Sequence, residues 1–214
     1  MRTKFDEQLE ELHTKLIEMG MLIEEGIEKV STSIILHDER QANMAIEIER
    51  LVDEKERTIE ALCLKLLLQQ QPVAHDLRVI SSALKMITDM ERIGDQIEDI
   101  AELSILLLES SFIEKLEFLP KMAETASKMV RGSIDAFVNN DKSHAEAIIK
   151  MDDEVDGFFI EIKKKIISLI QKGSADGEDA IDFLMVAKYY ERIADHAVNI
   201  AEWVLFSITG EHKK

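Results

Sequence analysis

Two pairs of acidic residues in this chain recur at a spacing that suits cation binding. Glu91 and Asp95 stand four residues apart, and Glu191 and Asp195 repeat the same spacing one hundred residues further on. Residues four apart lie on one face of an α-helix, so each pair presents two carboxylates in one direction. Carboxylate oxygens are the ligands that hard metal ions prefer.

A second set of acidic residues repeats upstream of each of these pairs. Glu49 and Asp53 occur in an acid-x-x-Val-Asp segment, and Asp152 and Asp156 occur in the same segment 103 residues later. Each of these pairs also falls on one helical face, in line with apolar residues. Each half of the chain can therefore direct four carboxylates, two from each of two helices, toward a shared groove.

Acidic pairs at this spacing also arise by chance, because 43 of the 214 residues are Asp or Glu. A pair such as Glu7 and Glu11 is typical of a solvated helix face, where like-charge repulsion costs only a few tenths of a kcal/mol. The return of both segments in the same order in both halves favours a metal site over a purely structural acidic groove. The eight candidate ligands are Glu49, Asp53, Glu91, Asp95, Asp152, Asp156, Glu191 and Asp195.

The donor set predicts which cations would bind. Carboxylates that lie in line with apolar residues are partly shielded from water, so their repulsion must be met by protonation, by a basic partner or by a bound cation. Oxygen-only ligands without cysteine favour divalent or trivalent ions such as iron, Mn²⁺ or Mg²⁺ over a structural Zn²⁺ site, and the identity of the metal, Zn²⁺ included, stays open.

Basic residues accompany the acidic pairs. Arg92 and Arg192 each follow a glutamate directly, and we expect both to pair with neighbouring carboxylates. His196 has Gln96 as its counterpart in the first half, so we interpret it as a surface histidine and not as a ligand.

The rival interpretation is a carboxylate-bridged di-metal oxidase or ferritin-like metal store. Such a site needs Glu-x-x-His on two helices and a glutamate on two more. One such motif is present, at Glu10 and His13, but the corresponding positions of the second half hold Ile113 and Leu116. The duplicated motif also lacks an accompanying nucleophile or general base, so we do not expect an enzyme.

Composition predicts an all-α fold that positions these carboxylates. Hydrophobic residues make up 46% of the chain and aromatic residues only 5%, which allows a core of aliphatic side chains. Two prolines and eight glycines are too few for the many turns of a β-sandwich or barrel.

The interruptions in the helical periodicity divide the chain into six helices of about 25–35 residues each. They fall at residues 36–38, 71–72, 139–141 and 172–174, and a central joint lies between Ser110 and Pro120. Together with the repeat, this predicts two tandem three-helix bundles with antiparallel helices, over residues 1–109 and 110–214. The pattern leaves open whether the two halves share one core.

The net charge and the single cysteine limit which partners and which cellular compartment are expected. The formal net charge is −17, and Lys163–Lys165 is the one basic run that stands out, so we expect no nucleic-acid binding. Cys63 is alone in an apolar segment and is expected to be buried. The acidic start of the chain resembles no signal peptide, and no apolar stretch approaches the ~18 residues of a membrane span. We therefore expect a cytoplasmic protein.

These residues together resemble the PhoU family, whose members consist of two three-helix repeats that each bear a Glu/Asp-x-x-x-Asp motif. Here the motifs are Glu-Arg-Ile-Gly-Asp at 91–95 and Glu-Arg-Ile-Ala-Asp at 191–195. The segment Gln-Pro-Val-Ala-His-Asp-Leu-Arg at 71–78 is also similar to the family's Gln-Pro-x-Ala-x-Asp-Leu-Arg, although the second half has no such turn. The resemblance covers essentially the full length.

The resemblance implies a non-enzymatic negative regulator of phosphate uptake and phosphate-responsive signalling. It would act between the ATPase subunit of a Pst-type phosphate transporter and a PhoR-type sensor histidine kinase, and it would meet the membrane only through these partners. The resemblance also implies multinuclear metal clusters, which some members of the family bind, with ligands at Glu91, Asp95, Glu191 and Asp195. We further expect a homodimer.

Overall fold

Six α-helices form the regular structure of the chain in the computed structural model, which describes residues 2–70, 73–110, 116–174 and 176–211. The helices are α1 (Arg2–Leu36), α2 (Glu39–Gln70), α3 (Ala74–Leu106), α4 (Leu119–Val138), α5 (Lys142–Gln171) and α6 (Gly177–Thr209). The predicted all-α class and the six-helix layout are confirmed. No helix within the described ranges is both long enough and apolar enough to span a bilayer.

The turns that end α1 and α4 have the same backbone geometry. His37 and Asn140 adopt φ angles of 53° and 52°, and they stand 103 residues apart, as do the acidic segments of α2 and α5. A residue in the left-handed region stops a helix and lets the chain reverse. Asp141 then caps α5 by accepting a hydrogen bond from the His144 backbone N–H at 3.0 Å. The internal repeat thus extends to the turns.

Four of the expected breaks can be compared with the structure. Those at 36–38, 139–141 and 172–174 separate helices, and the central joint lies between α3 and α4. The expected length is wrong for α4, which has only 20 residues, because α3 ends at Leu106 and Pro120 lies in the first turn of α4. The break at 71–72 lies outside the described residues.

The two three-helix units share one core. Helices α1, α2 and α3 pack together, as do α4, α5 and α6, but α3 also packs along α6 and α1 packs against α4. Buried side chains of all six helices belong to one hydrophobic cluster. Ile97 of α3 and Ile200 of α6 are both fully buried, and so is Cys63, as expected. Tertiary packing therefore shows that the two halves share one core, which the spacing of residues along the sequence could not decide.

Tyr190 makes a polar link between the two halves within this core. Its hydroxyl lies 2.9 Å from Ser31 Oγ on α1, and Ser31 Oγ itself donates to the Ile27 carbonyl at 2.7 Å. The Tyr190 hydroxyl therefore donates the hydrogen bond to Ser31 Oγ. A buried phenol without such a partner would lose its hydrogen bonds with water uncompensated, so this bond selects one arrangement of α6 against α1.

The shared core predicts that damage to the first repeat unfolds the second. Ile59 on α2 is fully buried, and Ile59→Ala should cost about 2–5 kcal/mol of unfolding free energy by leaving a cavity. Trp203 is the sole tryptophan and lies on α6. In Ile59→Ala, the urea concentration at the midpoint of unfolding should fall equally whether unfolding is followed by Trp203 fluorescence or by far-UV circular dichroism.

The matched control is Leu64→Ala, which truncates a half-exposed side chain on the same helix and should shift the midpoints far less. An unchanged Trp203 transition in Ile59→Ala, with an early loss of helicity, would show that the repeats unfold separately.

Candidate metal centre

The first carboxylate groove lies between α2 and α3. Glu49 and Asp53 come from α2, and Glu91 and Asp95 come from α3. Gly94, inside the acidic motif, lets the two helices approach here: a Cβ atom at this position would lie 3.1 Å from the Cγ1 atom of Val52. The motif thus sits where the backbone of α3 comes close to α2.

The pKa values of Glu49 and Glu91 reflect acidic neighbours across this groove. Burial raises the pKa of Glu49 to about 7, and the negative charges of Glu98, Asp53 and Asp95 add to the effect. Burial also raises the pKa of Glu91, with a further contribution from Asp95. The acidic side chains of α2 and α3 are therefore close enough to repel one another in a partly dry environment.

Two arginines offset part of this negative charge. Arg92 Nη1 donates to Asp95 Oδ2 at 2.9 Å, and Arg92 Nε lies 3.5 Å from Glu91 Oε2. Arg57 Nη2 donates to Asp53 Oδ2 at 3.2 Å. The predicted structural pairing of Arg92 is confirmed. A metal ion in this groove would compete with these guanidinium groups for the same oxygens.

The second carboxylate groove lies between α5 and α6. Burial raises the pKa of Asp152 to about 6, and the charges of Asp156, Asp195 and Glu191 contribute in that order. Lys188 donates a hydrogen bond to Glu191. The Oδ1 atom of Asp152 is buried and has no hydrogen-bond partner. A buried oxygen among negative charges is a position that a cation would stabilise.

Two further acidic residues of the first groove were not among the predicted ligands. Glu98 exerts the largest charge effect on Glu49, and the charge of Asp53 contributes to raising the pKa of Glu56, after burial and Glu60. The i,i+3 spacing from Asp95 to Glu98 could have identified one of them. Neither residue recurs in the second half, which has Phe159 and Val198 at the equivalent positions.

The two grooves therefore differ in their electrostatics. Phe159 replaces an acidic residue in the second groove, and Lys188 Nζ lies 5.6 Å from the centre of its ring while also bonding to Glu191. The first groove has more carboxylates and arginine partners, whereas the second has an aromatic ring and a lysine. The repeats share a fold but present different cation environments.

The remaining polar candidates, His196 and Arg192, have different surroundings. His196 Nδ1 lies 2.9 Å from Asp89 Oδ1 on α3, and its side chain is only 20% exposed, so the interpretation as a surface histidine is wrong. It links α6 to α3. Arg192 is exposed and lies within ion-pair distance of no carboxylate in the described part of the chain, although its charge partly offsets the rise in the pKa of Asp99 on α3.

The Glu-x-x-His motif of α1 is placed away from both carboxylate grooves. His13 packs edge-on against Phe137 of α4, with ring centres 5.7 Å apart, and burial lowers its pKa. Leu116 is buried, whereas Ile113 lies outside the described residues. His13 thus contributes to the packing of α1 on α4.

The donor sets suit hard cations, although the side chains would have to turn to bind one. Within the described ranges, no three acidic, histidine or cysteine side chains converge into a ready-made metal-binding cluster. The available donors are carboxylate oxygens, several have raised pKa values, and Asp152 Oδ1 lacks a partner. Metal binding at the eight predicted residues stays a prediction.

Comparison with known proteins shows what the chain is similar to. The family model described as the PhoU domain matches it twice, over residues 16–104 and 119–204. A protein of Clostridium acetobutylicum named "Phosphate-specific transport system accessory protein PhoU homolog" is 32% identical over 211 residues, which cover 98% of this chain and 96% of the relative.

Two solved structures have the same architecture. The crystal structure of PhoU from Pseudomonas aeruginosa is 29% identical, with a TM-score of 0.89, and the match covers 97% of this chain and 100% of the other. That of the phosphate transport system regulatory protein PhoU from Streptococcus pneumoniae is 28% identical, with a TM-score of 0.90 and coverage of 98% and 99%.

The raised pKa of Glu49 predicts a pH-dependent cost to stability in metal-free buffer. Its folded-state pKa of about 7 exceeds the ordinary value of 4.5, so the folded protein keeps a proton that the unfolded chain releases between these values. The stability that protonated Glu49 contributes to the folded state is fully present below pH 4.5 and is lost as the pH rises through 7. Glu49→Gln should therefore raise Tm by about 2–4 °C at pH 8, and by less at pH 5.

Thermal melts in EDTA at both pH values test this prediction. Glu47→Gln is the matched control, because Glu47 is exposed on the same helix and pairs with Arg50. A Glu49→Gln variant that is no more stable than wild type at pH 8 would show that burial and the neighbouring charges do not destabilise the ionised Glu49 carboxylate.

Proposed function

The chain belongs to the PhoU family, and we propose that it is an accessory regulator of phosphate-specific transport. The observation that carries this proposal is the double match to the PhoU domain, one in each half, with a Glu-Arg-Ile-x-Asp motif in each. The similar proteins of C. acetobutylicum and S. pneumoniae are named accessory and regulatory proteins, which supports a regulatory role without catalysis.

We further propose that each carboxylate groove binds divalent or trivalent metal ions, with iron, Mn²⁺ and Mg²⁺ preferred. The first groove would use Glu49, Asp53, Glu91 and Asp95. The second would use Asp152, Asp156, Glu191 and Asp195. A bound cation would neutralise carboxylates that repel one another in a partly dry site, and this supports a structural or regulatory use of the metal.

The proposed partners are the ATPase subunit of a Pst-type transporter and the cytoplasmic part of a PhoR-type histidine kinase. In this proposal the protein acts in the cytoplasm as a homodimer and restrains phosphate uptake when phosphate is plentiful. The net charge of −17 opposes direct binding to an anionic membrane, so protein contacts would hold it at the transporter. His13 lies against Phe137, and this position does not favour the di-metal oxidase alternative.

Metal binding to the folded state predicts a gain in thermal stability. At a concentration 100 times Kd, a metal ion adds about 2.7 kcal/mol to the unfolding free energy. Mn²⁺ or Fe²⁺ should therefore raise Tm by several degrees in wild type, and by less in Asp53→Asn/Asp95→Asn and in Asp152→Asn/Asp195→Asn. The melts are followed by circular dichroism under anaerobic conditions, with Mg²⁺ in parallel.

The matched control is Glu7→Gln/Glu11→Gln, which removes two exposed acidic residues at the same i,i+4 spacing on α1 and should keep the full metal response. If no metal changes the Tm of wild type, or if all three variants respond alike, the groove carboxylates are not the binding site.

The regulatory role predicts a defect in phosphate control when the gene is deleted. Cells without the protein should take up phosphate and transcribe phosphate-responsive genes in rich medium, where wild-type cells repress both. Radiolabelled phosphate uptake and a transcriptional reporter measure the two effects, and a plasmid copy of the wild-type gene is the control. Unchanged uptake and transcription in the deletion strain would refute the regulator proposal.

A further inference from the structure

A large apolar groove lies between α1 and α4, lined by different residues from the two carboxylate grooves. Its volume is about 820 Å³. Leu22, Ile27 and Ala123 form part of its lining, together with Met21 and Ile35, whose side chains are 63% and 47% exposed. Exposed apolar side chains around a concave surface are typical of a site that another molecule covers.

The base of this groove is held in place by a hydrogen bond of the core. Ser31 lines the groove, and its Oγ accepts a hydrogen bond from the buried Tyr190 hydroxyl, with the two oxygens 2.9 Å apart. Because α6 fixes α1 in this way, a ligand would meet a groove that already exists. A preformed site loses less conformational entropy on binding than a flexible one.

The rim of the groove is acidic. Five glutamates and two lysines line it: Glu18, Glu24, Glu25, Glu28, Glu124, Lys55 and Lys128. Lys55 pairs with Glu18 at 2.5 Å, and Lys128 pairs with Glu124 at 2.6 Å. Glu25 and Glu28 are exposed and add to an excess of negative charge along α1. An occupant must therefore combine an apolar surface with positive charge.

From this combination we infer that the α1/α4 groove binds an amphipathic helix of a partner protein, with an apolar stripe flanked by lysine or arginine. The apolar stripe would cover Met21 and Ile35, and the basic flanks would meet Glu25 and Glu28. Helices commonly bind in grooves through an apolar face, and complementary charge adds specificity and speeds association. The inference does not rest on the proposed function, because it involves neither phosphate nor metal.

A second copy of this chain fits the groove less well. Its α5 helix does present exposed isoleucines beside Lys163 and Lys164, including Ile160 and Ile167. Each copy carries a net charge of −17, however, so a second copy offers this acidic rim less complementary charge than a basic helix does. A basic helix of another protein is attracted instead.

Binding of a designed peptide to the full-length protein tests the inference directly. The probe is a fluorescein-labelled helical peptide of about five turns, with leucines on one face and lysines on both flanks. A second peptide has glutamates in place of the lysines. In buffer with EDTA, fluorescence anisotropy should show saturable binding of the basic peptide that weakens with salt, and no binding of the acidic peptide.

Variants locate the binding site. Met21→Asp should weaken binding at least about tenfold, and Glu25→Gln/Glu28→Gln about fivefold, since the first places a charge on the apolar lining and the second removes rim charge. The matched controls are Leu68→Asp, at a position 82% exposed on α2, and Glu7→Gln/Glu10→Gln, at exposed positions of α1. Both controls should stay within about twofold of wild type.

Other results would overturn the inference. Equal binding of the two peptides, or equal losses in the variants and their controls, would show non-specific attraction to an acidic protein. Self-association in analytical ultracentrifugation that is lost both in Met21→Asp and in Lys163→Glu/Lys164→Glu would show that a second copy occupies the groove. Failure of the gene deletion test, with peptide binding intact, would remove the proposed function and leave this inference standing.

Discussion

The packing of α3 along α6 is the contact on which the rest of this structure depends. Both helices lie between other helices, since α3 also contacts α1 and α2, and α6 also contacts α4 and α5. Burial of their aliphatic side chains removes apolar surface from water on more than one side of each helix. The remaining polar positions of these two helices must lie at the edges of that packing, where α2 and α5 flank them. The acidic motifs occupy these edges.

Placing carboxylates at the edge of a core creates an electrostatic problem that the protein meets in two ways. In the first groove, Arg57 and Arg92 pair with the carboxylates, and Glu49 keeps a raised pKa. In the second groove, Lys188 pairs with the carboxylate of Glu191, and Asp152 has one buried oxygen without a hydrogen-bond partner. In each groove, cationic side chains thus offset part of the charge of the carboxylates, which is what a metal ion would do in the proposed sites.

One turn of α6 contacts both the helix that lines the α1/α4 groove and the second carboxylate groove. Tyr190 fixes α1 through Ser31, and the next residue, Glu191, belongs to the acidic set that faces α5. Side chains of successive helical residues point about 100° apart, so one turn can serve an apolar groove on one side and a charged groove on the other. The two grooves are therefore connected through the same turn of α6.

The sequence by itself determined the helical class, the six-helix order, the internal repeat and the pairing of the acidic residues into two sets. Local periodicity suffices for these features, because residues at i, i+3 and i+4 share a helical face in any context. Tertiary structure alone decided that the halves share one core, that His196 bonds to Asp89, and that Glu56 and Glu98 join only the first groove. These features depend on which helices pack together and at what distance, and spacing along one helix carries no information about its neighbours.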